Sequence, residues 1–214
     1  VIILDDIYEA AMEALIHVGG YRTNHNERDQ IEKHLWIDGK LNPQLIARDP
    51  AVFSVKVGLS PGAEKARFFM VEEQRFSADS PFADEKLSLV LTVYRARDLD
   101  DAIAIVKGVL SVKGQGHSCG IHTRDLVHAR RLAEEVDVVR VLVNQAHTFG
   151  NGGNFDNGLN FTLSMGCGTW GGNSISENLN YRHFINITHL STTIEEDRPL
   201  EEELFGSYWA KYGK

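Results

Sequence analysis

Phe161-Thr-Leu-Ser-Met-Gly-Cys-Gly-Thr-Trp-Gly-Gly-Asn-Ser-Ile-Ser-Glu-Asn178 is the stretch around which the rest of the chain is arranged. It places four glycines, a cysteine and a tryptophan in one short window. That glycine density is incompatible with the interior of a regular helix or strand, because each Gly admits φ > 0 or lets another group approach its backbone closely. Trp170 adds a large rigid wall. A loop of this kind shapes a pocket or a tight interface; the plainer alternative is a turn that serves packing alone.

Toward the N-terminus the irregular character extends through Gly150-Asn-Gly-Gly-Asn154 back to Asn144. Long irregular excursions in compact domains are usually functional. Before Asn144 strands and helices alternate. Short apolar runs predict strands at Val1–Leu4, Ala66–Val71, Leu87–Tyr94, Ser118–His122 and Val138–Val143. Ile7, Ala10, Ala11, Ala14, Leu15 and Val18 repeat at helical spacing, and Gly19-Gly20 ends that helix. A more polar helix is expected over Glu27–His34, and a short one from the Asn42-Pro43 cap through Ala47. Asp98 caps a helix with Leu99, Ala102, Ile103, Val106, Val109 and Leu110 on one face. Thr123 is expected to cap another that runs to about Glu135. This alternation predicts an α/β fold, a layered sheet parallel in its core and flanked by helices. Beyond the glycine loop, Arg182–Leu190 reads as a strand. The tail from Glu195 is acidic, then aromatic, with Leu204, Phe205, Tyr208, Trp209 and Tyr212 able to form an amphipathic helix.

The chain has 214 residues, 43% hydrophobic, enough for one large domain or two small ones. The formal net charge of -8 argues against a nucleic-acid or anionic-membrane partner. No apolar run approaches a membrane span and no charged-then-apolar leader opens the chain. Cys119 and Cys167 lie far apart and form no disulfide framework, so a reducing cytoplasm is the expected compartment. His122, His147, His183 and His189 have no metal-site spacing, and no metal is assigned. Valine at position 1, opening directly on a strand, implies a removed leader or a piece of a longer chain.

Three segments together resemble one superfamily. Pro81-Phe-Ala-Asp-Glu85-Lys-Leu-Ser-Leu-Val-Leu resembles the segment of aldehyde dehydrogenases where a glutamate opens an E-x-F-G-P-like motif, with Leu89 standing where proline is common. Gly114-Gln-Gly-His117-Ser-Cys-Gly-Ile-His-Thr123 is similar to the glycine–histidine segment of the CoA-acylating branch. Gly166-Cys-Gly-Thr-Trp-Gly-Gly-Asn-Ser174 resembles that branch's signature loop. The branch includes bifunctional alcohol/aldehyde dehydrogenases and acylating succinate-semialdehyde and sulfoacetaldehyde dehydrogenases. Order and spacing agree for all three, and the resemblance spans nearly the whole chain. It implies that residues 1–190 are a C-terminal portion of an aldehyde dehydrogenase catalytic domain and 191–214 a tail that serves oligomerisation.

What the resemblance implies is a two-step covalent oxidation. A cysteine thiolate attacks an aldehyde, NAD or NADP is reduced, and CoA intercepts the thioester. The nucleophile is expected upstream of Val1, with Cys167 as runner-up; on its residues Cys167 also reads as a small inert thiol, and Cys119 as core. Glu85 would accept hydrogen bonds from the nicotinamide ribose; as a bare residue it reads as a solvated strand-entry glutamate. His117 would act as acid or base on the CoA thiol or stabilise charge; as a bare residue it reads equally as a structural histidine bonded to backbone. Thr169, Trp170 and Asn173 would line the acyl pocket, with Asn173 and Ser174 also orienting the loop. Arg22, Arg140 or residues upstream of Val1 are candidate cations for an anionic substrate. Self-association through Arg182–Leu190 and the tail is expected. The competing expectations are a non-acylating semialdehyde dehydrogenase, with water as acceptor, and a non-catalytic assembly module.

Overall fold

Short apolar strands separated by helices form the framework of the computed structural model, which describes residues 1–214. In chain order the elements are β1 (Ile2–Leu4), α1 (Tyr8–His17), β2 (Gly20–Arg22), α2 (His25–Leu35), β3 (Trp36–Ile37), β4 (Lys40–Leu41), α3 (Pro50–Val57), β5 (Phe68–Glu72), β6 (Val90–Ala96), α4 (Leu99–Val112), β7 (Cys119–Ile121), α5 (Leu126–Glu135), β8 (Val141–Val143), α6 (His147–Gly150) and α7 (Glu201–Tyr212). They fall into two units, Val1–Asn180 and Tyr181–Lys214.

The main sheet has the order β1-β6-β5-β2, and each pairing in it is parallel. A parallel sheet is covered on both faces, and successive side chains of a strand point to opposite faces. β5 shows this directly. Phe69 and Val71 enter a cluster with Ile31 and Leu35 of α2 and Phe53 and Val57 of α3. Met70, between them, packs instead with Tyr8 and Met12 of α1. α4 is apolar on two sides: Ile105 meets Tyr94 and Ala96 of β6, whereas Ile103 meets Leu132, Val136 and Val138. It thereby joins the main sheet to a second parallel pair, β7–β8, in the register Cys119↔Val141. The expected layered, mainly parallel α/β architecture is the one observed.

Several local expectations are corrected. Asn42–Ala47 forms turns, not a helix: the Asn42 side chain accepts from the Gln44 N–H, and Ala47 lies at φ 50 with its N–H on the Leu87 carbonyl. An Asx turn competes with helix, and a left-handed residue ends it. The cap of α5 is Asp125, whose side chain accepts from Val127 N–H; Thr123, two residues earlier, instead accepts from Asp125 N–H. β2 follows the Gly19 stop directly, because Gly20 has no side chain and the Phe68 ring occupies that space. In the second unit Arg182–Leu190 is not a strand; it holds a single 3-10 turn, Tyr181–His183, before irregular backbone. α7 does form, with the ring pairs Phe205–Trp209 and Tyr208–Tyr212 at helical spacing. No helix is long and apolar enough to cross a membrane.

Candidate functional site

The approach to β7 and the glycine loop press together, backbone against backbone. Gly116 N–H donates to the Asp137 carbonyl at 2.7 Å, which lays this segment alongside the run into β8. Gly116 sits at φ +81, and a Cβ there would lie 2.2 Å from the Cys167 carbonyl oxygen and 2.5 Å from the Gly171 nitrogen. Only glycine fits. The loop is also closed on itself. Gly166 and Gly168 donate to the carbonyls of Glu177 and Ile175 at 3.0 and 2.9 Å, and Cys167 N–H donates to Asn173 Oδ1 at 2.9 Å. Thr169–Gly171 forms a 3-10 turn at its tip, with Trp170 51% exposed.

Arg140 is the fastener beneath. It is only 5% exposed, on the run into β8. Its Nε donates to Asn178 Oδ1 at 2.7 Å, Nη1 to the His117 carbonyl at 3.2 Å, and Nη2 to the Gly166 carbonyl at 2.8 Å. These acceptors are all neutral, and burial lowers the guanidinium pKa from its ordinary value. Asn178 passes the connection on, since its Nδ2 donates to the carbonyls of Asn151 and Asn160 at 2.9 and 2.8 Å. One cation and one amide therefore hold the His117 segment, the glycine loop and the 151–160 excursion in one arrangement.

Above this clamp, His117 Nδ1 lies 2.6 Å from Ser118 Oγ, and the same oxygen lies 2.8 Å from His147 Nε2. Burial, with a smaller contribution from His117, lowers the His147 pKa. Glu85 is exposed, and its N–H donates to Asp84 Oδ1 at 2.6 Å. Asp84 in turn pairs with Lys113 Nζ at 2.7 Å, one residue before Gly114. Lys86, on the other side of Glu85, donates to the carbonyls of Phe82 and Asp84 and is pushed down to about 8 by burial. One ion pair thus links the loop bearing Glu85 to the start of the glycine–histidine segment.

No protein-family model matches the chain. A sulfoacetaldehyde dehydrogenase (acylating) from Cupriavidus necator is 42% identical over 214 residues, which is 100% of this chain and 43% of the relative. A second from Bilophila wadsworthia is 37% identical, matching 100% of this chain and 47% of its own length. A crystal structure of an acetylating aldehyde dehydrogenase from Geobacillus thermoglucosidasius superposes with a TM-score of 0.83 at 27% identity, covering 93% of this chain and 44% of that one. The chain belongs to the CoA-acylating aldehyde dehydrogenases. It spans less than half the length of these relatives.

In this chain the fold brings His117, Thr169, Trp170 and Asn173 onto one clamped unit, and one ion pair links the Glu85 loop to it. Asn173 is spent on its own loop, through Cys167 N–H and the Gly171 carbonyl. Cys119 faces the cluster between α4 and α5, and burial pushes its thiol up to about 11. Cys167 points its Sγ at the Met165 carbonyl, 3.9 Å away. Arg22 is engaged far from the loop, with Glu72 at 2.6 Å and Glu9 at 3.5 Å. Both arginines are thus already engaged within the chain. The reading of the residues missed the Arg140–Asn178 clamp, whose one signal was a lone cation inside a valine run. It also missed the pairing of Ser118 with His147, which are too far apart in sequence to suggest each other.

Proposed function

We propose that the whole protein oxidises an aldehyde to an acyl-CoA, with NAD or NADP reduced and CoA as the acyl acceptor. The observation that carries this reading is the fastening of the Glu85, His117 and Gly166 segments into one unit by Asp84–Lys113 and Arg140. In it a cysteine thiolate attacks the aldehyde carbon, and CoA later releases the acyl group as thioester. Neither cysteine of these 214 residues suits that attack, because burial keeps Cys119 protonated and Cys167 directs its thiol at a carbonyl. The nucleophile belongs, in this reading, to the remaining length that the relatives possess.

The exposed His117 ring takes the proton of the CoA thiol, so that sulfur attacks as thiolate. Glu85 fits the nicotinamide cofactor, because its exposed carboxylate accepts two ribose hydroxyls while its backbone is fixed by Asp84. When bound, that cofactor supplies the redox step by accepting hydrogen from the aldehyde carbon. Thr169 and Trp170 form the outward wall of the acyl pocket, and Asn173 holds the loop in shape. Sulfoacetaldehyde is the substrate we favour, because the 42% identical relative bears that name. The exposed apolar residues after Asn180, Phe184, Ile187, Leu190 and Phe205 among them, support self-association.

The test is an assay of the full-length protein with sulfoacetaldehyde, NAD or NADP, and CoA. Thioester formation that requires CoA is expected. Release of the free acid at the same rate without CoA would overturn the acylating reading in favour of water as acceptor.

A further inference from the structure

We propose that Ser118 and His147 are positioning residues that set the tautomer of His117, with its proton on Nδ1 and its lone pair on Nε2. This rests on the proposed role of His117 as acid–base group for the CoA thiol. The observation is the chain His117 Nδ1–Ser118 Oγ–His147 Nε2, at 2.6 and 2.8 Å. A serine hydroxyl has one proton to donate. It therefore donates to one imidazole and accepts from the other, and the tautomers of the two rings are coupled.

Two arrangements exist. If Ser118 donates to His117 Nδ1, then His117 Nε2 already holds the ring's proton and takes up no other until the hydroxyl turns. If His117 Nδ1–H donates to Ser118, and Ser118 donates to His147 Nε2, then His117 Nε2 is an open acceptor. Proton transfer breaks the S–H bond of the thiol and forms N–H at Nε2. The sulfur keeps the electron pair and the ring becomes the imidazolium. The second arrangement survives this step unchanged, since Nδ1–H still donates to Ser118. It needs a neutral His147, and both burial and the charge forming on His117 disfavour a proton there.

The surrounding backbone fixes both ends of the chain. Arg140, the charged group bonded to this segment, holds the His117 carbonyl. The His147 ring lies against β7, where a Cβ on Gly120 would be 3.2 Å from Nδ1. A side chain at position 120 would press on this ring.

The experiment is ring-15N histidine NMR of the full-length protein, beside the pH profile of CoA-dependent turnover, in wild type and in Ser118→Ala, Ser118→Thr, His147→Phe and His117→Ala. The expected wild-type signal is His117 protonated on Nδ1. Ser118→Ala and His147→Phe should shift it toward the Nε2–H form and lower CoA-dependent kcat about tenfold, a fraction of the usual acid–base contribution. Ser118→Thr should restore the Nδ1–H signal. An unchanged His117 tautomer in both Ser118→Ala and His147→Phe overturns the proposal. Full CoA-dependent turnover in His117→Ala overturns the role of His117 itself, and that result is separable from the spectra.

Discussion

At the residue scale, charge placement decides what each group can do. Glu85 and Glu73 make the contrast. Glu85 is exposed, with its carboxylate open to a ligand. Glu85→Gln in the full-length enzyme should cost about 1–3 kcal/mol of transition-state stabilisation, read as a fall in kcat/KM for the nicotinamide cofactor. Glu73 is buried and spent on structure. Burial alone would raise its pKa. Hydrogen bonds from Ser80 Oγ at 2.7 Å, the Arg75 and Gln74 N–H groups, and Arg28 Nη2 at 2.6 Å overcome this and hold it near 2, below the ordinary 4.5. A depressed folded-state pKa adds stability that is present above the unfolded value and is lost as pH falls through the folded one. Melting temperature should therefore drop between about pH 4.5 and 2 in wild type. In Glu73→Gln that acid limb should be shallower, with the protein already less stable at neutral pH. Equal acid limbs in the two proteins would rule out this account.

At the scale of elements, the glycine loop shows how a segment without regular structure becomes rigid. Many of its backbone groups bond within its own turns or to Arg140, so it holds shape without helix or sheet. Gly116 is the critical contact, because the atoms a Cβ would meet are main chain and cannot rotate away. Gly116→Ala should destabilise by at least about 2 kcal/mol, from overpacking and left-handed strain together. Denaturant unfolding measures this, with Gly114→Ala as the milder comparison: its Cβ would meet only the Leu110 side chain, at 3.6 Å. Equal losses in the two variants would show that the close approach is relieved by movement of the loop. Among the helices, α4 was the most legible, since Asp98 caps it and accepts from Asp101 N–H as its sequence suggests. The Asn42–Ala47 expectation failed because Asn followed by Pro signals an Asx turn as readily as a cap.

At the scale of the whole molecule, the second unit carries many apolar side chains and little cover. Leu190 is 94% exposed, and Tyr208 and Tyr212 of α7 are exposed too. Such surface associates in water. The full-length protein should be oligomeric by light scattering, and removal of residues 181–214 should shift it toward monomer. An unchanged mass after the deletion would exclude this segment as the interface. In a parallel sheet the same interior supports both strands and helices, so Phe53→Ala beneath β5 should cost about 3–5 kcal/mol, measured by denaturant unfolding.

The amino-acid sequence determined the alternation of strands and helices, and with it the parallel α/β class, because apolar periodicity and helix caps act over a few residues. It also determined the family, through three glycine- and charge-bearing segments whose order and spacing survive in one dimension. Tertiary structure alone decided how those segments meet. Arg140 lies 23 residues from His117, 26 from Gly166 and 38 from Asn178, yet it bonds all three. A guanidinium inside a valine run carries no local sign of its partners, since its acceptors are two main-chain carbonyls and one amide oxygen. Backbone acceptors are the same at each residue, so only the path of the chain in space selects which of them a buried side chain will reach.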